Sequence, residues 1–212
     1  MTLLSIDRST DVQSVAIAKD DAVFSFTVQG ADARCADWPV KIRDFLSNHG
    51  LSFSDIDRIV VGTGPGSFAG IRGALAFAQG LAIGIRAKKA SAGSIVYGLP
   101  SAAALAREDG LTAVIGDARR GLFWVVVYNG ANTVSGFRLV QKEELHAAIP
   151  ESATIATSDG ARIGDALKEM FGDRYDGSVP PSAERLARIA LSRPEILVCE
   201  PLPVYLSPAV RT

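Results

Sequence analysis

The sequence predicts an α/β protein built from two similar halves, and three observations carry that prediction. Residues 3 to 85 read as three strands, a helix, a strand and a second helix. An aspartate stands where a first strand meets its hairpin turn at Asp7, and again about half the chain later at Asp117, the mark of a duplicated unit. Beyond Asp117, helical patterns at Gln141–Ala148, Ala161–Phe171 and Ser182–Ser192 alternate with short extended pieces. The halves join near Glu108–Leu111, which gives domains of 1–108 and 109–212, the second with a tail able to return to the first.

The opening strands are Leu3–Ile6, Ser14–Ala18 and Val23–Val28, short and rich in β-branched or aromatic residues. Polar turns at Arg8–Asp11 and Asp20–Asp21 separate them, so they form an antiparallel meander. Asp37 is placed to cap a helix with Pro39 in its first turn. Trp38, Ile42, Phe45, Leu46 and His49 then recur at helical spacing until Gly50 stops the helix, and His49 suits the dipole at its C-terminus. Asp57–Thr63 carries the buried-strand run Ile59, Val60 and Val61, and a helix over Gly70–Ile85 follows a glycine-rich loop. In the second half a strand at Val114–Asp117 turns tightly through Arg119, Arg120 and Gly121 into strands at Leu122–Tyr128 and Thr133–Val140. The proline-rich tail Pro201–Pro208 runs extended.

Composition narrows the function classes. Of 212 residues, 48% are hydrophobic and 21% charged, ordinary globular usage for a chain long enough to bury a sizeable core. The net charge of -1 gives no field for holding a polyanion, so unaided nucleic-acid binding is disfavoured. Met1–Asp7 lacks the basic segment of a signal peptide, and no run reads as long enough to span a membrane, so a cytoplasmic protein without membrane association is expected. Cys35 and Cys199 have no CxxC spacing and read as incidental thiols. His49 and His146 make no H-x-x-x-H pair, no G-x-S-x-G elbow is present, and no nucleophile or metal ligand is nominated.

The most informative stretch is GTGPGSFAGIR, Gly62 to Arg72. Four glycines and a proline between a strand and a helix let backbone N–H groups converge at a helix N-terminus, which suits either an anion or another close backbone. The GK[ST] ending of a P-loop is missing, and Gly64-x-Gly66-x-x-Ala69 meets the dinucleotide fingerprint only in its loosest form, with Arg86, Ala87, Lys88 and Lys89 where an acid belongs. Asp7, Ser9, Thr10, Gly64, Gly66, Ser67, Arg72, Asp117 and Arg119 are the candidate phosphate- or nucleotide-facing residues. The following helix is apolar nearly all round: Gly73, Gly80 and Gly84 lie along one side, and Phe77, Leu81 and Ile85 along another. It is either buried wholly within the chain or shared with a partner.

Taken as an ordered set, LLSIDRSTDVQSVAIAK, DRIVVGTGPGSFAGIRGALAFAQGLA, VIGDARRGLFWVVVY and the late PVYL resemble the TsaB (YeaZ) family, glycoprotease-like subunits of bacterial tRNA threonylcarbamoyladenosine synthesis. The resemblance spans nearly the whole chain. It implies an actin/Hsp70/sugar-kinase-like fold, two similar lobes each with a mixed sheet flanked by helices. It implies a non-catalytic scaffold required for modifying ANN-decoding tRNAs, paired with the TsaD transferase paralogue and docked by the TsaE ATPase. It further implies a homodimer when the subunit is isolated, tRNA held mainly through the complex, and no cofactor on this subunit, with ATP or ADP at the complex interface. The family's dimer contact maps onto Trp38, Ile42, Phe45, Ile71, Leu75, Ala78, Gln79 and Ala82. The chain departs from the family pattern at Arg8, at Cys35–Ala36 and across Ala69–Arg72. The competing reading is a small actin-like ATP-dependent kinase or ATPase working through Asp7, the glycine loop and Asp117.

Overall fold

The computed structural model describes residues 1–20, 22–30, 37–89 and 95–206; Asp21, Cys35, Ala36 and the end of the proline-rich tail lie outside them. The chain divides into two units, Met1–Ala104 with Ser182–Val204, and Leu105–Pro181 with the residues from Tyr205.

In the first unit, β1 (Thr2–Asp7), β2 (Gln13–Lys19) and β3 (Ala22–Val28) form the expected antiparallel meander. Parallel strands β4 (Arg58–Gly62) and β5 (Val96–Leu99) extend the sheet beyond β1, and β11 (Val198–Cys199) closes the edge. Every residue of β1 is buried because both faces of the sheet are covered. Leu4, Ile6, Val15 and Ile17 pack with Trp38, Ile42 and Leu46 of α1 (Trp38–Asn48) and with Ile71, Leu75, Ala78 and Ala82 of α2 (Phe68–Lys89). Ser14 alternates with Val15 and so faces the other way, where its Oγ accepts the Ala183 N–H of α5 (Ala183–Ser192) at 2.8 Å. That helix lies on β1 and β2, so Ser182–Val204 belongs to the first unit rather than to a second domain of 109–212.

Asp37 does not cap α1 with its side chain. Its carboxylate lies 3.5 Å from Lys41 Nζ, and its backbone carbonyl accepts the Lys41 N–H. His49 sits at the other end as expected, with Nδ1 2.8 Å from the Phe45 carbonyl oxygen. Contrary to the sequence expectation, a 20-residue segment of α2, Phe68–Ala87, is long and apolar enough to cross a membrane, with a mean hydropathy of 1.4. Burial of its Ile71, Ala74, Leu75, Ala78, Ala82 and Ile85 in the sheet core accounts for that composition.

The second unit repeats the first. Strands β6 (Leu111–Arg119), β7 (Leu122–Asn129) and β8 (Asn132–Gln141) form a meander, and β9 (Thr154–Thr157) and β10 (Tyr175–Ser178) run parallel beside β6. The order β10-β9-β6-β7-β8 matches β5-β4-β1-β2-β3 strand for strand. The β6–β7 turn places Arg119, Arg120 and Gly121 at φ of 69°, 55° and 78°, the left-handed geometry of a tight hairpin with a bulge. One helix expected over Gln141–Ala148 is instead a 3-10 turn at Lys142–Glu144 followed by a single α-turn, α3 (Leu145–Ala148). It packs with α4 (Gly160–Phe171) over Ala113, Ile115, Val125, Val127 and Ile155.

Candidate functional site

The glycine-rich loop runs from the end of β4 into α2, with a cis Gly64–Pro65 peptide. Two of its donors bond to the chain itself. Gly64 N–H donates to Ser101 Oγ at 3.0 Å, and Ser67 N–H donates to the Ser9 carbonyl at 2.7 Å. The β1–β2 turn therefore packs directly against the loop. A Cβ on Gly66 would come 2.1 Å from the Ser9 carbonyl oxygen, and one on Gly70 would come 2.1 Å from that of Arg8. Glycine at 66 and 70 lets the two backbones meet.

Asp7 lies behind this contact and is fully buried. Its Oδ1 accepts both the Ser9 N–H at 2.9 Å and the Ser9 hydroxyl at 2.7 Å. Oδ2 is pressed between Gly62 and Ser101, so close that a Cβ on Gly62 would come 1.9 Å from it, yet it makes no well-formed hydrogen bond. Burial raises the carboxyl above its ordinary pKa, against the opposing pull of the Ser101 and Ser9 hydroxyls and the Ser9 N–H. Thr10 spends its hydroxyl on the Val12 carbonyl at 2.8 Å. Asp7, Ser9, Thr10, Gly64, Gly66 and Ser67 thus lie together where the loop meets the hairpin. Arg72 stands apart on the exposed side of α2, its guanidinium 4.8 Å from the Phe68 ring centroid.

The equivalent place in the second unit is more open. Asp117 Oδ1 accepts the Arg119 N–H at 2.7 Å, and its Oδ2 meets Arg162 Nε at 3.0 Å. Arg162 also reaches Asp159 Oδ1 at 2.6 Å, and Asp159 Oδ2 accepts the Asp117 N–H at 2.9 Å. Two acids and two arginines balance here, Arg162 between Asp117 and Asp159 and Arg119 3.5 Å from Asp117 at the rim. Gly160 N–H donates to Ser178 Oγ, just as Gly64 does to Ser101 in the first unit, so the duplication extends to the serine that ties each loop. Among the described residues no cluster of three or more His, Cys, Asp and Glu is placed to hold a metal.

The predicted partner face needs correction. Trp38, Ile42, Ile71, Leu75, Ala78 and Ala82 are at most 5% exposed and belong to the sheet core; Phe45 is half-buried against Phe26. Of that set only Gln79 faces outward. The exposed stripe of α2 runs through Arg72, Ala76, Gln79, Gly80, Ile83 and Gly84, with Ile83 71% exposed. Periodicity alone held the signal, since Ile83 falls off the buried sequence of Ile71, Leu75, Ala78, Ala82 and Ile85.

The chain resembles known proteins over most of this architecture. A family model described as TsaD, tRNA N6-adenosine threonylcarbamoyltransferase, matches residues 38–135, from α1 into β8. The tRNA threonylcarbamoyladenosine biosynthesis protein TsaB of Escherichia coli is 31% identical over 138 residues, 63% of this chain and 58% of that protein. The protein of the same name from Bacillus subtilis is 31% identical over 135 residues, 62% of this chain and 57% of its own. These matches span little more than half the length of the curated relatives. The solved structure of YeaZ from Pseudomonas aeruginosa superposes with a TM-score of 0.75 at 27% identity, over 97% of this chain and 99% of that one. Two mixed sheets flanked by helices, in one repeated strand order, are the actin/sugar-kinase-like fold.

Proposed function

We propose that this chain, which belongs to the TsaB/YeaZ family, is a non-catalytic scaffold subunit in the threonylcarbamoyladenosine modification of ANN-decoding tRNAs. It pairs with the TsaD transferase paralogue through the exposed stripe of α2, and the TsaE ATPase docks on the pair. Isolated chain forms a homodimer through the same stripe, since one self-complementary patch serves both assemblies. The subunit is cytoplasmic, tRNA is held mainly by its partners, and ATP or ADP sits at the complex interface.

One observation supports the reading: the glycine loop packs on the β1–β2 turn, with the Ser67 N–H bound to the Ser9 carbonyl and Asp7 fully buried. What remains distinctive on the surface is Ile83 among small residues, on a helix whose other side is core. An exposed apolar side chain flanked by Gly80 and Gly84 lets a second helix approach closely. The scaffold is tested by nucleoside mass spectrometry of total tRNA from cells depleted of the protein. Loss of threonylcarbamoyladenosine, restored by wild type, is expected. An unchanged level, or ATP turnover by the isolated chain abolished by Asp7→Asn, overturns the reading.

A further inference from the structure

The second unit holds a cavity of about 270 Å³ where the outer strand β8 meets α3 and the chain just after it. Strand register explains its shape. Val125 of β7 pairs with Arg138 of β8 and Val127 pairs with Ser135, so Gly136 and Phe137 together oppose Val126 alone. Val134 is a second extra residue, between the pairs Val127–Ser135 and Tyr128–Thr133. Such bulges bend a strand and re-aim its side chains. Cross-strand partners share a face, and Val125 and Val127 belong to the core with Leu145 and Ile149, so Ser135 and Arg138 turn to that side at the edge of the sheet. Val127, Val134 and Ile149 give the cavity apolar walls, and Ser135 and Arg138 bring polar groups to it. Val134 is 57% exposed, an apolar side chain left open to solvent beside the cavity. Arg138 Nη2 donates to the Ala148 carbonyl at 2.6 Å, which ties the side chain to the end of α3, and it has no other partner among the described residues. A guanidinium carries five N–H donors in two forked edges, so one bond to a carbonyl leaves a complete edge of two donors. The Ser135 hydroxyl likewise has no partner among the described residues.

We propose that this cavity binds a small apolar monocarboxylate. The carboxylate lies on the free edge of the Arg138 guanidinium, and the hydrocarbon part lies against Val127, Val134 and Ile149. Two coplanar oxygens match the guanidinium fork, and the Ser135 hydroxyl is available as a further donor. Among the described residues Arg138 is the one charged group lining the cavity, so a single negative charge balances it, whereas a phosphate dianion would keep a charge unpaired beside apolar walls. The bond to Ala148 holds the guanidinium in place beforehand, so less side-chain freedom is lost on binding. The volume is that of roughly nine waters and just below the range of about 300 Å³ upward for ligand pockets, so a body of about five or six carbons fits. The site lies wholly in the second unit and does not depend on pairing through α2.

Hexanoate is titrated into the full ¹⁵N-labelled chain at constant pH and ionic strength, with 1-hexanol and hexylamine as controls. The expected result is a saturable shift of the Ser135, Arg138 and Ile149 backbone amides with hexanoate, while the amides of β1 and β2 stay fixed. Hexanol and hexylamine bind about tenfold more weakly or worse, because neither offers the guanidinium an anion. Arg138→Met, which keeps an apolar stem and loses the fork, weakens hexanoate binding by a similar factor. The absence of a saturable shift at these amides, hexanol binding as tightly as hexanoate, or undiminished binding by Arg138→Met overturns the proposal. The wild-type titrations with hexanoate and hexanol decide it even if Arg138→Met disturbs α3.

Discussion

Gly66→Ala tests whether the β1–β2 turn fills the glycine loop. The added methyl group would come 2.1 Å from the Ser9 carbonyl oxygen and 2.9 Å from its carbon, both backbone atoms that no rotamer change can move. Forcing them apart costs about 1–3 kcal/mol as overpacking. Losing the 2.7 Å Ser67–Ser9 hydrogen bond adds about 1 kcal/mol. The expected loss is about 2–4 kcal/mol, which at a urea slope of about 2 kcal/mol per molar lowers the midpoint by about 1–2 M. Urea denaturation followed by Trp38 emission in a Trp124→Phe background reads this from the first unit. Gly80→Ala is the control: its Cβ meets nothing within 4 Å, and a helical Gly→Ala change gains about 1 kcal/mol. If Gly66→Ala unfolds at the wild-type midpoint, the loop is not packed on the turn and an open cradle returns to consideration.

Two further outcomes follow from the buried acid and from the second unit. Burial raises the pKa of Asp7, so the folded state binds its proton more tightly than the unfolded chain does, and its contribution is most favourable below the ordinary value of 3.8 and declines as pH rises from there. Asp7→Asn removes that decline, so the variant gains in Tm relative to wild type between acid and neutral pH; a difference that does not vary with pH would refute it. Arg162→Met removes the cation that Asp117 and Asp159 share, but the side chain is 43% exposed, so the expected cost is only about 1 kcal/mol. Because that cost is electrostatic, it shrinks in molar salt, and an equal loss of urea midpoint at low and high salt would count against it.

The strands with dense β-branched patterns are legible in the sequence, as are the duplicated meanders, because alternation and hairpin chemistry are local signals. β5 is not: Val96–Leu99 is four residues long and interrupted by Gly98, whose missing side chain makes room for Pro201 at a Cβ distance of 2.4 Å. The return of α5 to the first sheet is equally invisible, since it depends on a bond between residues as distant as Ser14 and Ala183. The glycine loop is legible as a place of close approach, but residue types do not say whether an anion or a backbone approaches. The approach seen is that of the Ser9 carbonyl, a group every residue carries. For α2, an almost wholly apolar composition hides the division between core and surface, so Ala78 and Ile83 look equivalent although one is fully buried and the other 71% exposed.

The proposed scaffold role is tested most directly by sedimentation of the chain mixed with a TsaD transferase, comparing wild type with Ile83→Arg and with Val134→Arg, a change at a 57% exposed site in the second unit. With circular dichroism confirming that both variants are folded, wild type and Val134→Arg are expected to co-sediment with TsaD, while Ile83→Arg runs alone. Undiminished co-sedimentation of Ile83→Arg would contradict the assignment of the α2 stripe as the pairing face.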